Sequence, residues 1–311
     1  MFKVSVSIAV VLCGLSASPS FAQAPAPANP LWHEQKVKNY LPHMTSPEVG
    51  DLLTRTDMVI LPVASLEQHG LQGPIGTDFL SGLERAKLIA QKTDVLVAPI
   101  LFPGNSPYHM AFPGTITLPA ETIQLVYFQA AQSLLAHGFK RFLILNSHAG
   151  NAAIVQYLVD RINQETAGIA VELDTAAQPF LTRPARTEPP AFDRHGGVSE
   201  TSRSLYLTPN LVNLGAARTA PLTLLPHLQK MLPEVVAGDP TATRVFLAEA
   251  LKAAATGKGT STKDMTETGV WSALDVKTAT AERGRAETEA AVNAAVAFIE
   301  RWKQLRPLGT K

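Results

Sequence analysis

At 311 residues the chain is long enough for one large domain or two small ones, and its 46% apolar content can bury a full core. A formal net charge of +1, with no long basic run, excludes electrostatic capture of nucleic acid or of an anionic membrane surface. Cys13 is the only cysteine, which excludes a thiolate metal site from everything downstream of it.

In chain order, Met1-Phe2-Lys3 supplies a positive start, Val4 to Leu15 an apolar run, and Ser20-Phe21-Ala22 a small-x-small cleavage pattern. Residues 1–22 are therefore expected to be a secretory signal peptide. The apolar run is about 12 residues, against roughly 20 for a helix that spans a bilayer, and no later stretch is long and apolar enough to span. Cleavage near Ala22 predicts an exported, periplasmic chain without Cys13, in which histidines and carboxylates are the metal donors. Residues 23–30 read as a Pro/Ala-rich spacer. Residues 31–311, with no internal repeat and no second such linker, are expected to form a single domain.

Ser46 before Pro47 marks a helix start, with the helix running to Leu53. Met58–Val63 has the short apolar run of a strand buried on both faces, followed by similar runs at Val95–Ile100, Arg141–Leu145 and Ala167–Leu173. Helical spacing covers Phe79–Lys92, Glu121–His137 closed by Gly138, Thr241–Ala255 and Ala279–Arg301. Strands alternating with helices predict an α/β fold, a mostly parallel sheet with helices on both faces. Such sheets bind ligands beyond the carboxyl ends of their strands, which places chemistry just after Val63, Ile100 and Leu145.

Three segments carry candidate chemistry. The first, Ser65 to Asp78, follows the first strand. In extended chain Glu67 and His69 point to the same side, and a Gly/Pro-rich turn returns the chain to Asp78 at a helix start. Two carboxylates and an imidazole suit zinc, manganese or iron. The competing reading makes Asp78 a helix cap and His69 a loop histidine. The second segment, Asn146-Ser-His-Ala-Gly-Asn151, follows the third strand and offers His148 as a fourth ligand or as a structural histidine. In the third, Asp193 to Ser202, His195 and Glu200 follow a Pro-rich stretch that reads as a loop over the site. Gly196 and Gly197 there let the backbone approach a ligand, although Ser199–Ser202 can equally cap a helix through Leu207. His109, after the second strand, falls at the same rim as a substrate contact or a structural group.

In this order and spacing the three segments resemble the creatininase (creatinine amidohydrolase) family. Its signature runs S-x-E-Q-H-G-x-x-x-P-x-x-T-D, then N-G-H-G-G-N, then H-A-G-x-x-E-T-S. Phe112-Pro-Gly-Thr-Ile-Thr117 and Ala279 with Gly284 extend the match over residues 47 to about 300. The resemblance implies a three-layer α/β/α fold and a homo-oligomer. It further implies one or two divalent ions, zinc first and manganese or iron as alternatives, held by Glu67, His69, Asp78 and His148, with Asp78 bridging two ions. Creatininase supplies a further glutamate two residues after the second-segment histidine. Gly150 stands there in this chain, and Glu200 is the carboxylate expected to fill the gap. Creatininase also closes on its substrate with tryptophans near the third segment, whereas Trp32, Trp271 and Trp302 all lie outside that stretch.

The implied activity is hydrolysis of a small cyclic or linear amide (creatinine-like, formamide-like or a lactam) by metal-bound hydroxide. His195 would pass a proton to the departing nitrogen, oriented by Asp193. Lactone opening on the same scaffold, or an exported metal- or solute-binding protein without turnover, are the competing functions.

Overall fold

A four-stranded parallel sheet, ordered β2-β1-β3-β4, forms the centre of the computed structural model. Its strands are β1 (Met58–Val63), β2 (Leu96–Val97), β3 (Arg141–Asn146) and β4 (Ile169–Glu172). The structure describes residue 29 and residues 34–100, 103–182, 191–250 and 262–310. The expected signal peptide lies outside the described residues, as does all of the spacer except Asn29. The sheet belongs to the compact unit Val37–Lys311. Among the described residues no helix is long and apolar enough to cross a membrane.

β1 shows why the sheet needs cover on both sides. All six of its residues are buried, and alternate side chains of a strand point to opposite faces. Val59, Leu61 and Val63 join one apolar cluster with α3 (Ala120–His137) and α4 (Ala152–Glu165). Met58 and Ile60 join another with α2 (Thr77–Lys92) and α10 (Ala281–Leu305). The result is a helix–sheet–helix sandwich with the expected parallel strands.

The elements refine the sequence reading in several places. α1 (Ser46–Leu53) is capped one residue earlier than expected, by Thr45, whose backbone N–H donates to Glu48 at 2.7 Å in a capping box. β2 is shorter than Val95–Ile100, because Pro99 has no N–H to continue the ladder. Gly138, at φ +111°, ends α3 in the left-handed conformation. α8 (Pro240–Ala250) covers the first part of the helix expected at Thr241–Ala255, and 251–255 lie outside the described residues. α10 starts two residues later than expected, where the Thr280 hydroxyl accepts from the Arg283 N–H, and runs four residues further.

The sequence reading had no element for α4. Its β-branched Ile154, Val155, Val159 and Ile162 weaken helix propensity, yet with Leu158 they bury one helical face. Also unanticipated was a two-stranded antiparallel ribbon, β5 (Asp193–His195) with β6 (Trp271–Ser272). A third apolar cluster lies beside that ribbon. There Phe192 packs edge to face on Phe246 and on Trp271, each with ring centroids 5.5 Å apart, while Phe246 and Trp271 lie tilted at 5.9 Å, against α7 (Pro226–Val236) and α8. The remaining short helices are α5 (Leu173–Ala177), α6 (Val198–Leu207) and α9 (Thr262–Met265).

Candidate metal centre

The loop after β1 folds back on itself. The Glu67 N–H donates to Ile75 O at 3.0 Å and the Gly73 N–H to His69 O at 3.2 Å. A Cβ on Gly73 would stand 2.7 Å from His69 O, so this turn requires glycine. The fold-back brings Glu67 and His69 against Asp78 in the first turn of α2, where the helix dipole favours a carboxylate. Glu67 and His69 are each 1% exposed and Asp78 5%, so this charge sits away from water.

β3 ends beside this loop and places His148 with Nδ1 3.3 Å from Glu67 Oε1 and 3.1 Å from Asp78 Oδ2. On the other side, His69 Nε2 lies 3.3 Å from Asp78 Oδ1 and 3.6 Å from Glu200 Oε2, on α6. His195, at the end of β5, turns Nδ1 to within 3.4 Å of Glu67 Oε1. The six residues form three overlapping donor groups: Glu67–Asp78–His148, His69–Asp78–Glu200 and Glu67–His69–His195.

Each of these imidazoles is oriented by a backbone carbonyl. His69 Nδ1 donates to Glu67 O at 3.1 Å, His148 Nε2 to Asn105 O at 3.0 Å and His195 Nε2 to Gln68 O at 2.5 Å. A carbonyl oxygen only accepts, so the proton stays on the outward nitrogen. The inward nitrogen is then free to offer its lone pair, as metal-bound histidines do.

His69 Nε2 and Asp78 Oδ2 are buried and have no hydrogen-bond partner among the described residues. Unpartnered buried polar atoms are costly. A divalent cation between them and their neighbours would satisfy both, and oxygen and imidazole donors match zinc or manganese. The donor set therefore fits such an ion.

The electrostatics of the metal-free cluster agree. Burial disfavours a charged imidazole, yet Asp78, followed by Glu200 and Glu67, lifts His69 to about 10. Burial likewise opposes charge on His148, which Glu67 and Asp78 raise well above the ordinary range. Burial works against the Glu67 and Asp78 carboxylates too, and the adjacent histidines hold both below it. The pocket draws in positive charge, as protons when no metal is present.

His109 behaves differently. Gln68 Nε2 donates to its Nδ1 at 3.1 Å, and the orientation of that amide is fixed by Gly70 N–H and Gly269 O. The proton therefore sits on His109 Nε2, 3.5 Å from Glu67 Oε1. Its ring stacks on His195 at 4.0 Å, and burial, followed by His195, pushes it down to about 2. His109 is a neutral donor to Glu67.

Among the described residues no hydrogen bond joins Asp193 to His195. The two carboxylate oxygens of Asp193 accept from the Val198 and Ser199 N–H groups at 3.0 and 2.9 Å, capping α6. The expected glutamate position also has a structural explanation. A Cβ on Gly150 would meet Asn105 O at 2.5 Å, with the Tyr108 hydroxyl and His148 Nε2 closer still. No side chain fits there. Glu200 is held toward His69 instead, its Oε2 accepting from the Gly196 N–H at 2.7 Å. The sequence reading did not anticipate the Ser65–Ser106 hydroxyl pair under Glu67 and His148, or Tyr108 3.3 Å from His148 Nε2. A tryptophan does reach the third segment, because β6 pairs Trp271 with His195.

A creatinine amidohydrolase family model matches residues 42–299, which includes every donor named above. The chain belongs to the creatininase family. Among its curated relatives, the mycofactocin precursor peptide peptidase of Mycobacterium ulcerans is 28% identical over 225 residues, covering 64% of this chain and 84% of that protein. The creatinine amidohydrolase of Pseudomonas putida is 29% identical over 173 residues, 50% of this chain and 66% of that protein. A solved manganese creatininase superposes with a TM-score of 0.62 at 22% identity, over 86% of this chain and 99% of its own, and shows the shared fold.

Proposed function

We propose that this creatininase-family protein is a metal-dependent amidohydrolase that cleaves a small cyclic or linear amide. The observation that carries the proposal is the sharing of Asp78 between two donor groups, one buried and one buried except for Glu200, with one oxygen facing His148 and the other His69. Glu67, Asp78 and His148 would hold one ion, and His69, Asp78 and Glu200 a second. When bound, such ions lower the pKa of coordinated water to about 7 and polarise a carbonyl.

The protein's own groups do the rest. The Asn105, Glu67 and Gln68 carbonyls keep the His148, His69 and His195 rings turned inward. The Ser65 hydroxyl donates to Glu67 Oε2 at 3.1 Å and steadies that carboxylate. Burial keeps His195 neutral, its largest influence, with His69 adding to the effect. Its Nδ1 is then able to take a proton and return it to a departing nitrogen. Asp193 caps the start of α6, the helix that carries Glu200. Zinc is the first expectation for the metal. Export with removal of residues 1–22, and assembly of several copies, complete the reading from the sequence pattern and the family.

The test is metal analysis of the purified protein, then a screen of small amides, lactams and lactones with and without a chelator. Turnover of an amide that stops with chelator and returns with zinc or manganese is the expected result. Chelator-insensitive turnover, or a protein that takes up no metal, would overturn the proposal.

A further inference from the structure

A cavity of about 360 Å³ opens beside the donor groups and touches Asp78, His148 and Glu200. Its walls are faces of α2, α6 and α10. Asp78, Ser81 and Arg85 line one wall at helical spacing, and Glu200 and Arg203 line the next. At 1.5 Å per residue, Arg203 stands about 4.5 Å along the axis from Glu200, and Arg85 about 10.5 Å from Asp78. Each helix thus carries a candidate metal ligand near its start and a guanidinium further along the same face.

The two arginines differ in how they are held. Arg85 pairs with Asp174 at 2.8 Å. Arg203 has a long 3.4 Å contact to Glu287, whose other oxygen already accepts from Arg283 at 3.0 Å. A guanidinium offers five N–H donors in a fork that fits a carboxylate, and most of those on Arg203 are uncommitted among the described residues. Thr288, on the α10 wall, is 2% exposed, and its hydroxyl has no hydrogen-bond partner among the described residues. An under-used guanidinium lining a cavity beside the donor groups marks a place for an acceptor-rich group.

We propose that Arg203, with Arg85 further along the cavity, selects amides that carry a carboxylate about one helical turn from the bond being cleaved. The proposal rests on the amidohydrolase reading and names the substrate class for that site. An N-acylated β- or γ-amino acid, or a lactam bearing a carboxyl group at similar reach, has this chemistry. Neutral amides of the same size would leave Arg203 without a partner.

The test is calorimetric, on the metal-loaded protein, with two product-like ligands. Butyrate offers one carboxylate for the metals, and glutarate adds a second for Arg203. Glutarate is expected to bind at least about tenfold more tightly than butyrate. In Arg203→Gln that preference should fall to about one, with butyrate binding and the melting temperature unchanged. Arg203→Lys, which keeps the charge and loses the fork, should retain an intermediate preference. Equal affinities in the wild type, or a glutarate preference that survives Arg203→Gln, would overturn the inference alone. Butyrate binding that ignores chelator would remove the metal reading and this inference with it. Should Arg203→Gln fail to fold, the wild-type ratio and Arg203→Lys decide.

Discussion

Replacing Glu200 with glutamine isolates the one donor of the candidate metal centre that stands in for a ligand missing at Gly150. The substitution keeps the volume and leaves an amide oxygen to accept from Gly196, so the 2.7 Å bond that positions the side chain can persist. The negative charge 3.6 Å from His69 Nε2 is lost. Disturbing outer partners of a metal ligand costs about 10–100-fold in affinity, so removing one of the two donor charges in the His69–Asp78–Glu200 group should reach at least about 100-fold. That corresponds to about 2.8 kcal/mol. The loss should fall on one ion only, because Glu67, Asp78 and His148 form a group without Glu200. Dialysis against a graded chelator, followed by elemental analysis, should show wild-type protein falling from two ions to one where the variant starts at one. A Glu200→Gln protein holding as much metal as wild type, with affinities within about threefold, would refute the reasoning.

Three further outcomes follow from the same geometry. Gly150→Ala should destabilise the fold by about 1–3 kcal/mol in urea melts, since the new methyl group meets the Tyr108 hydroxyl and Asn105 O; unchanged stability would show that the pocket yields. Asp193→Ala should cost about 1 kcal/mol as a lost helix cap. Its pH–rate profile should keep the wild-type shape, and a displaced profile would restore Asp193 as the partner of His195. Metal-free protein should be most stable near pH 6.5, the ordinary histidine value. Above it the folded state keeps the raised His69 proton up to about 10 while the unfolded chain has lost its own, so stability falls as pH rises. Below it the unfolded chain protonates His109 and His195, whose folded values are depressed, so stability falls again. Chemical melts of the chelator-treated protein across this range, flat above pH 6.5, would contradict the first limb.

Much of this molecule is written locally in its sequence. β1 and β3 are apolar on both faces because both faces are covered, and an uninterrupted apolar run, Met58–Val63 in β1 and Phe142–Leu145 in β3, shows that without any partner. The Glu67–His69–Asp78 loop is legible for a similar reason, since one turn contains all three donors. What stayed hidden depends on pairing over long distances in the chain. Nothing near Asp193 reveals that Ser272 and Trp271 will lie beside β5. Nothing near His109 reveals that Thr262 will sit 2.7 Å from its ring. A carboxylate two residues from a histidine suggests a pair, and only the folded chain shows that the N–H groups of the following helix hold both Asp193 oxygens. Gly150 was legible as a missing ligand, but the crowding that forbids one there is visible only in three dimensions.

The double duty of Asp78 has a consequence for how the protein fills. On the proposed assignment its two oxygens serve different ions, so one negative charge is drawn on twice. The side chain is already buried and fixed, and the first ion to arrive gains little by ordering it for the second. What remains is repulsion between neighbouring cations and a carboxylate already partly neutralised. The second equivalent should then bind more weakly than the first, and a metal titration should be biphasic. Protein purified without added metal would carry close to one equivalent, and two different metals could occupy the two places in one molecule.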